Sequence, residues 1–217
     1  MRTTILACET LRDEIELAVK LTGSAYEITW LKSGLHDFPE KLREGLQESL
    51  DNLVDCDRVL MVFGSCGNAA IGISTGEKEL VFPMVDDCIS LLIGSVQKRL
   101  ALAENCTYFI TPGWLRGERN IWEEYKYTIG KYGAETGGMI MEMMLEHYKY
   151  IGLLDDGSYS VDDIMPVVHQ VSAGLKLEER ILPASVQYIC DLLTGHWDPQ
   201  RFHIFPPHTV ISDFQVV

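Results

Sequence analysis

RVLMVFGSC, residues 58–66, predicts the centre of the fold. Arg58 to Phe63 form a short, almost continuous apolar run, which indicates a strand buried on both faces, as in a parallel sheet. The small residues Gly64-Ser65 that follow indicate a turn. Cys66 is therefore expected just beyond the carboxyl end of a buried parallel strand.

Two further apolar runs also lead to a cysteine. TTILAC ends at Cys8, and ELVFPMVDDC ends at Cys88. The carboxyl ends of parallel strands share one edge of a sheet, and ligands of open α/β folds bind at that edge. We therefore expect Cys8, Cys66 and Cys88 to meet in one crevice although they are far apart in the chain.

The flanking sequence alternates between strand and helix patterns. Helical spacing is present at residues 11–21, strands are predicted at residues 25–31 and 107–111, and Pro39 is placed to start a further helix. Helical patterns dominate after Trp114. The alternation predicts an α/β fold: a doubly wound, mostly parallel sheet of about five strands with a helix-rich C-terminal half.

The domain organisation follows from the length of 217 residues and the absence of a repeat, a low-complexity tract or a clear linker. Residues 1–217 are expected to form one α/β domain. The alternative is two lobes that meet at the crevice, a sheet core over residues 1–115 and a helical part over 116–217. A last short strand is predicted at residues 203–205.

Composition excludes several classes of partner. Lys and Arg total 18 against 32 Asp and Glu, a formal net charge of -14, which repels nucleic acid and anionic lipid. No apolar stretch is long enough to span a bilayer, and the N-terminus lacks the pattern of a signal peptide. We therefore expect a cytoplasmic protein with reduced cysteines, with no nucleic-acid or membrane partner, and compatible with a homo-oligomer.

The predicted crevice offers ligands for a soft metal ion. Thiolates suit zinc and other transition metals, and a bound metal holds a thiol deprotonated, so we predict Cys8, Cys66 and Cys88 as metal ligands. An iron–sulfur cluster is the alternative cofactor for the same thiols. Any one cysteine taken alone is more often a small core residue, so the interpretation depends on all three.

Other residues at this edge are candidates for chemistry or cofactor contact. Three are predicted to transfer protons or to support ligands: His36, Asp86 and Asp87. The structural alternative is a cap of the Pro39 helix for His36 and a loop with solvated carboxylates for the two aspartates. Three are predicted to contact a cofactor, as a backbone turn or an aromatic wall: Gly64, Gly67 and Trp114. The remaining cysteines are predicted to be structural: Cys56, Cys106 and Cys190.

Several motifs resemble those of an uncharacterised family, domain of unknown function family 1638. They are GSCGN at 64–68, PMVDDC at 83–88 and YFITPGWL at 108–115, with Ala7-Cys8-Glu9, Gly34-Leu35-His36 and Trp197-Asp198. The resemblance covers nearly the whole chain. It implies an anaerobic archaeal or bacterial setting near corrinoid-dependent methyl transfer, with a corrinoid protein or methyltransferase as partner. Where relatives have Pro-Arg-x-His-Asp-Cys, this chain has Met84 and Asp86 in the Arg and His positions.

The sequence leaves the function open between three hypotheses. In the first, a zinc-like ion held by Cys8, Cys66 and Cys88 activates an acceptor, in a metal-dependent methyltransferase or its accessory subunit in one-carbon metabolism. In the second, the protein is a non-catalytic accessory or sensor that binds a metal, an iron–sulfur cluster or a corrinoid. In the third, the thiols are buried without a ligand. Catalysis itself is undecided by the sequence.

Overall fold

Five strands form the larger sheet of the computed structural model, which describes residues 1–35, 38–103 and 106–213. In sheet order they are β2 (Glu27–Leu31), β1 (Thr3–Cys8), β3 (Arg58–Val62), β4 (Glu79–Pro83) and β8 (Phe202–Phe205). The first four are parallel, and β8 pairs antiparallel with β4. The predicted mostly parallel sheet of about five strands and the short strand near residue 203 are confirmed.

Helices cover both faces of this sheet, so it is doubly wound. They are α1 (Arg12–Thr22) and α8 (Gln187–Thr194) on one face and α2 (Pro39–Asn52) on the other. Successive strand residues point to opposite faces. Ile5 therefore packs in the α1/α8 layer, whereas Leu6 packs with Leu42, Leu46 and Leu50 of α2, which recur every fourth residue.

A second, three-stranded parallel sheet was not predicted. Its order is β5 (Thr107–Ile110), β6 (Tyr150–Asp155) and β7 (Glu178–Pro183). The strand expected at 107–111 exists but belongs to this sheet, and the sequence interpretation missed β6 and β7. In β7, EERILP contains exposed and half-buried residues and no fully buried one, so it lacks the apolar run that marked the central strands of the larger sheet.

Helices fill the rest of the C-terminal half. They are α5 (Pro112–Arg116), α6 (Ile121–Met144) and α7 (Val161–Leu175). α6 is interrupted at Gly133, where φ is 79° and ψ is 167°, a left-handed conformation that favours glycine. Of its four methionines only Met141 is buried, and Met143 is 73% exposed. In this methionine-rich stretch, Met141 is therefore the methionine that packs in the core.

The chain crosses between the sheets through α3 (Cys88–Ile93) and α4 (Val96–Ala103), and it returns through α8 to β8. The two parts touch closely where α5 meets the end of β1. A Cβ atom at Gly113 would lie 2.0 Å from the carbonyl oxygen of Thr10, so only glycine fits. This approach brings the β5–α5 corner beside the carboxyl edge of the larger sheet.

No helix in the described ranges is long and apolar enough to cross a membrane.

Candidate functional site

The loops after β3 and β4 remain paired beyond the ends of the strands. The N–H of Cys66 donates to the carbonyl oxygen of Asp86 at 2.7 Å. A Cβ atom at Gly64 would lie 2.5 Å from Cα of Asp87, so a side chain at this position has no room. Because the backbones approach this closely, the loop that carries Cys66 lies beside the loop that leads to Cys88.

Cys66 adopts a strained backbone conformation. Its φ is 43°, and Gly67 and Asn68 follow with φ of 74° and 65°. Three consecutive left-handed residues are unusual, and non-glycine residues in this region are found preferentially at functional sites, where the surrounding structure holds them. The loop thus turns sharply at the thiol itself.

Cys8 and Cys88 each lie where a strand of the larger sheet gives way to a helical turn. Cys8 ends β1, and its Sγ atom donates to Oγ1 of Thr10 in the following 3-10 turn at 3.4 Å. Cys88 is the first residue of α3, whose N-cap is Asp87. The three cysteines therefore come from three separate corners at the same edge.

These three cysteines line one cavity of about 420 Å3, which we call the thiol cavity. The structure places every described candidate in it, since Gly64, Gly67, Asp86, Asp87 and Trp114 also contribute to the lining. His36 lies outside the described residues. Much of the remaining wall is apolar and comes from both parts of the molecule: Leu11, Leu35, Leu42, Phe63, Ile89 and Phe109.

The two aspartates are engaged in building the start of α3. Asp87 accepts a hydrogen bond from the Ser90 N–H at 2.8 Å, and its other oxygen pairs with Arg99 at 3.0 Å. Asp86 accepts from the N–H of Asp87 at 3.0 Å and from the hydroxyl of Ser90. These contacts give both carboxylates structural partners, which differs from the solvated loop expected as the alternative. Their proposed roles in proton transfer stay predictions.

Burial dominates the electrostatics of the thiols. Burial, with smaller contributions from charge on the nearby Cys8 and Asp87, raises the pKa of the Cys66 thiol to about 12. Burial likewise raises the pKa of Cys88 well above its usual value, with Cys66 as the next cause. The pKa of Cys8 is also raised by burial, although the hydrogen bond with Thr10 offsets part of the effect. All three thiols are therefore neutral at physiological pH unless a cation enters the cavity.

The donor set suits a soft cation, but the sulfur atoms do not form a preformed metal cage. Within residues 1–35, 38–103 and 106–213, no three His, Cys, Asp or Glu side chains are arranged to hold a metal ion. Three thiols in one cavity can exchange their protons for a cation as it binds. Coordination would require the sulfur atoms to move towards one another, and Cys8 would leave Thr10.

Sequence inspection missed a buried carboxyl group near the thiols. Glu14 of α1 is fully buried, and among the described residues neither of its oxygens has a hydrogen-bond partner outside its own residue. Burial raises the pKa of Glu14 to about 8, and the charge of Asp156 adds to the effect. The helical spacing could have revealed it, because Glu14 follows the buried Leu11 by three residues and precedes the buried Ala18 by four.

The other cysteines lie away from the thiol cavity, as predicted. Cys190 is buried in the core between α8 and the larger sheet. Cys56 donates from Sγ to the carbonyl oxygen of Arg58 at 3.0 Å, at the amino end of β3. Cys106 precedes β5 and lines a different cavity. None of the six cysteines forms a disulfide.

Comparison with known proteins assigns the chain to a family. A family model described as "Protein of unknown function (DUF1638)" matches residues 30–193, which is more than half of the chain. The chain belongs to this family. No curated protein and no solved structure shows significant similarity to the chain. The matched range of the DUF1638 family includes Cys66 and Cys88, whereas Cys8 precedes it.

Proposed function

We propose that the thiol cavity binds a zinc-like metal ion through Cys8, Cys66 and Cys88, and that the protein acts in corrinoid-dependent methyl transfer. The observation that carries the metal proposal is the convergence of the three thiols in one largely apolar cavity. The methyl-transfer part rests on the motif resemblance, which implies a corrinoid protein or methyltransferase as the cytoplasmic partner. The proposal covers a methyltransferase and an accessory subunit alike.

The charge balance of the cavity supports a cation as its occupant. Each thiol that ionises raises the pKa of its neighbours, so the set cannot become anionic unaided at neutral pH. The protonated cavity is therefore a poor nucleophile. When bound, a zinc-like ion supplies Lewis-acid chemistry: it keeps its thiolates deprotonated and lowers the pKa of an acceptor beside it.

The protein's own residues would position the cysteines and exclude water. The close approach of Gly64 to Asp87 keeps the Cys66 and Cys88 loops together. The ion pair between Asp87 and Arg99 holds the start of α3. Phe109 adds an apolar wall from the second sheet, and a dry site strengthens charge interactions within it.

An iron–sulfur cluster is the alternative cofactor, and the cavity supports it less well. Such clusters are usually held by four cysteine thiolates. In the described part of the chain, the cavity lining contains three cysteines. A mononuclear ion with three protein ligands and one open position matches that number, as in catalytic zinc sites.

Metal analysis of anaerobically purified protein tests the proposal. We expect about one zinc ion per chain in the wild type, as one such three-thiol site requires, loss of the metal in Cys66→Ser, and retention in the matched control Cys190→Ser. A colourless holoprotein would support zinc as the cofactor, whereas visible sulfur-to-iron absorption would indicate an iron–sulfur cluster instead. A wild type that folds fully and binds neither zinc nor cobalt(II) would end the metal proposal.

The methyl-transfer part has its own assay. Methylcobalamin and 2-mercaptoethanol serve as donor and acceptor, and loss of the methyl–cobalt spectrum is followed with the zinc-loaded protein. We expect demethylation that depends on Cys66 but not on Cys190. The contrary outcome is a zinc-loaded wild type that does not demethylate methylcobalamin, either alone or with its corrinoid partner. That result would refute the methyl-transfer part of the proposal and keep the metal-binding part.

A further inference from the structure

A cluster of cations lies beside the thiol cavity, in a chain whose formal net charge is -14. A second cavity of about 420 Å3, which we call the cation cleft, is lined by Lys32, Lys41, Arg116 and Arg119. Lys32 and Leu35 line both cavities, so the cation cleft adjoins the thiol cavity. Both lie where the strands of the larger sheet end, the usual ligand edge of such folds.

Positive charge is in excess in the cation cleft. Arg116 is compensated by Asp13 at 2.7 Å, and Glu9, which also lines the cleft, is engaged by Arg12 at 3.5 Å. The other lining carboxylate is Glu118. The remaining three cations of the cleft form no ion pair with any described residue, so among the described lining residues three positive charges face one carboxylate.

Two of these cations are held on one aromatic ring. Nζ of Lys41 lies 4.8 Å from the centroid of Phe38, and Cζ of Arg119 lies 5.1 Å from it. The Arg119 side chain also packs on Gly34, where a Cβ atom would lie 3.5 Å from Cδ of Arg119. Cation–π contacts fix the positions of the two charges but leave them unneutralised.

The start of α2 adds to the positive field. Its N-cap is Phe38, which has no side-chain acceptor, and Pro39 follows in the first turn. The Phe38 side chain therefore does not cap the first N–H groups of this helix. The helix dipole places partial positive charge at the helix start, near Lys41. Like charges gathered in this way are stabilised by a bound anion.

We propose that the cation cleft binds the acidic group of a small organic oxyanion whose other end reaches the thiol cavity. The guanidinium of Arg119 and the ammonium groups of Lys32 and Lys41 would contact a carboxylate, sulfonate or phosphate. The inference rests on the proposed function in one respect: there, this anion is the methyl acceptor, a short thiol that carries an acidic group. Binding of the anion itself does not require the metal.

Calorimetric titration of the full chain tests the inference with matched probes. 3-Mercaptopropionate carries both a thiol and a carboxylate, propionate carries the carboxylate alone, and 2-mercaptoethanol carries the thiol alone. We expect the zinc-loaded protein to bind 3-mercaptopropionate roughly tenfold or more tightly than 2-mercaptoethanol, the size of one charge-assisted contact. Added salt should weaken the carboxylate-dependent part.

Two variants and a control locate the anion. Arg119→Gln and Lys41→Gln should each weaken 3-mercaptopropionate and propionate by about tenfold. The control Lys20→Gln removes an exposed charge at the far end of α1 and should leave both affinities unchanged. Unchanged far-ultraviolet circular dichroism of the variants shows that they are folded. Equal losses in all three variants, or none in Arg119→Gln and Lys41→Gln, would overturn the inference.

Cys66→Ser separates this inference from the proposed function. We expect the variant to lose zinc and to keep its affinity for propionate. Propionate binding that depends on Arg119, in a wild type that takes up no metal, would sustain the cleft and end the metal proposal. Zinc uptake with no preference for 3-mercaptopropionate over 2-mercaptoethanol would sustain the metal proposal and overturn the inference about the cation cleft.

Discussion

The thiol cavity and the neighbouring region around Glu14 both contain buried ionisable groups, but burial has different consequences for a thiol and for a carboxyl group. Burial raises the pKa of Cys66 and of Glu14 alike. A protonated cysteine behaves as a small apolar residue, so burying the neutral thiols in a dry cavity costs little free energy. A protonated carboxyl group still needs hydrogen bonds, and Glu14 has none outside its own residue among the described residues. The cysteines can remain neutral at little cost, whereas Glu14 destabilises the fold.

Among the substitutions, the largest expected loss of stability comes from Gly64→Ala, which would disturb the thiol cavity while leaving Glu14 in place. The added Cβ would lie 2.5 Å from Cα of Asp87, so the paired loops must separate. We expect a loss of about 3 kcal/mol in the free energy of unfolding, measured by urea denaturation. Gly130→Ala is the control, because its Cβ meets open space in α6. Equal stability of both variants would contradict the close approach.

Glu14→Gln should remove the pH-dependent part of the cost of the buried carboxyl group. Because the pKa of Glu14 rises from 4.5 unfolded to about 8 folded, the folded state holds a proton that the unfolded state releases in this window. Wild-type stability should therefore fall, by several kcal/mol, as the pH rises from 4.5 to about 8. Unfolding of Glu14→Gln should depend less on pH. The exposed Glu16→Gln should follow the wild type, and identical pH profiles for all three would refute the assignment.

Zinc should stabilise the folded protein through the thiol cavity, and this stabilisation should not depend on Glu14. At a free zinc concentration one hundred times its Kd, mass action adds about 2.7 kcal/mol to the free energy of unfolding. Thermal unfolding with and without zinc should show this gain in the wild type and in Glu14→Gln, but not in Cys66→Ser. A gain that survives in Cys66→Ser would move the zinc site elsewhere.

The smallest expected effect concerns the hydrogen bond between the Cys8 thiol and the Thr10 hydroxyl. Thr10→Val removes the acceptor of the Cys8 Sγ–H at 3.4 Å and keeps the side-chain volume. We expect a loss of about 0.5 kcal/mol in metal-free protein, by urea denaturation. Thr3→Val at the start of β1 is the control. If Cys8 leaves Thr10 when metal binds, the difference between Thr10→Val and the wild type should vanish in zinc.

The larger sheet was predictable from the sequence because its three central strands, β1, β3 and β4, are buried on both faces. Apolar runs such as RVLMV leave little choice but a parallel sheet, and parallel strands bring their ends to one edge. That rule sufficed to bring Cys8, Cys66 and Cys88 together in prediction. β7 was not predicted because its residues are exposed or half-buried and its first two are glutamates. β6 was not predicted because its apolar pattern directly follows a long helical stretch.

The candidate site was predictable only where residues follow strand ends. Arg119 reaches the cation cleft from the loop between α5 and α6, and Phe38 from the start of α2. Their meeting depends on how α5 packs against the end of β1, which no local pattern encodes. Glu14 depends instead on helix phase, and the neighbouring acidic residues Asp13 and Glu16 concealed its inward position in the sequence.

The antiparallel pairing of β8 with β4 sets the order in which the protein can be completed on the ribosome. β4 ends at Pro83, but its outer partner spans Phe202–Phe205 and emerges only after the whole second sheet has been synthesised. Until then β4 is an open edge, and open edges recruit other strands. A nascent chain that stalls before Phe202 would therefore carry all three cavity cysteines on an unfinished sheet prone to aggregation.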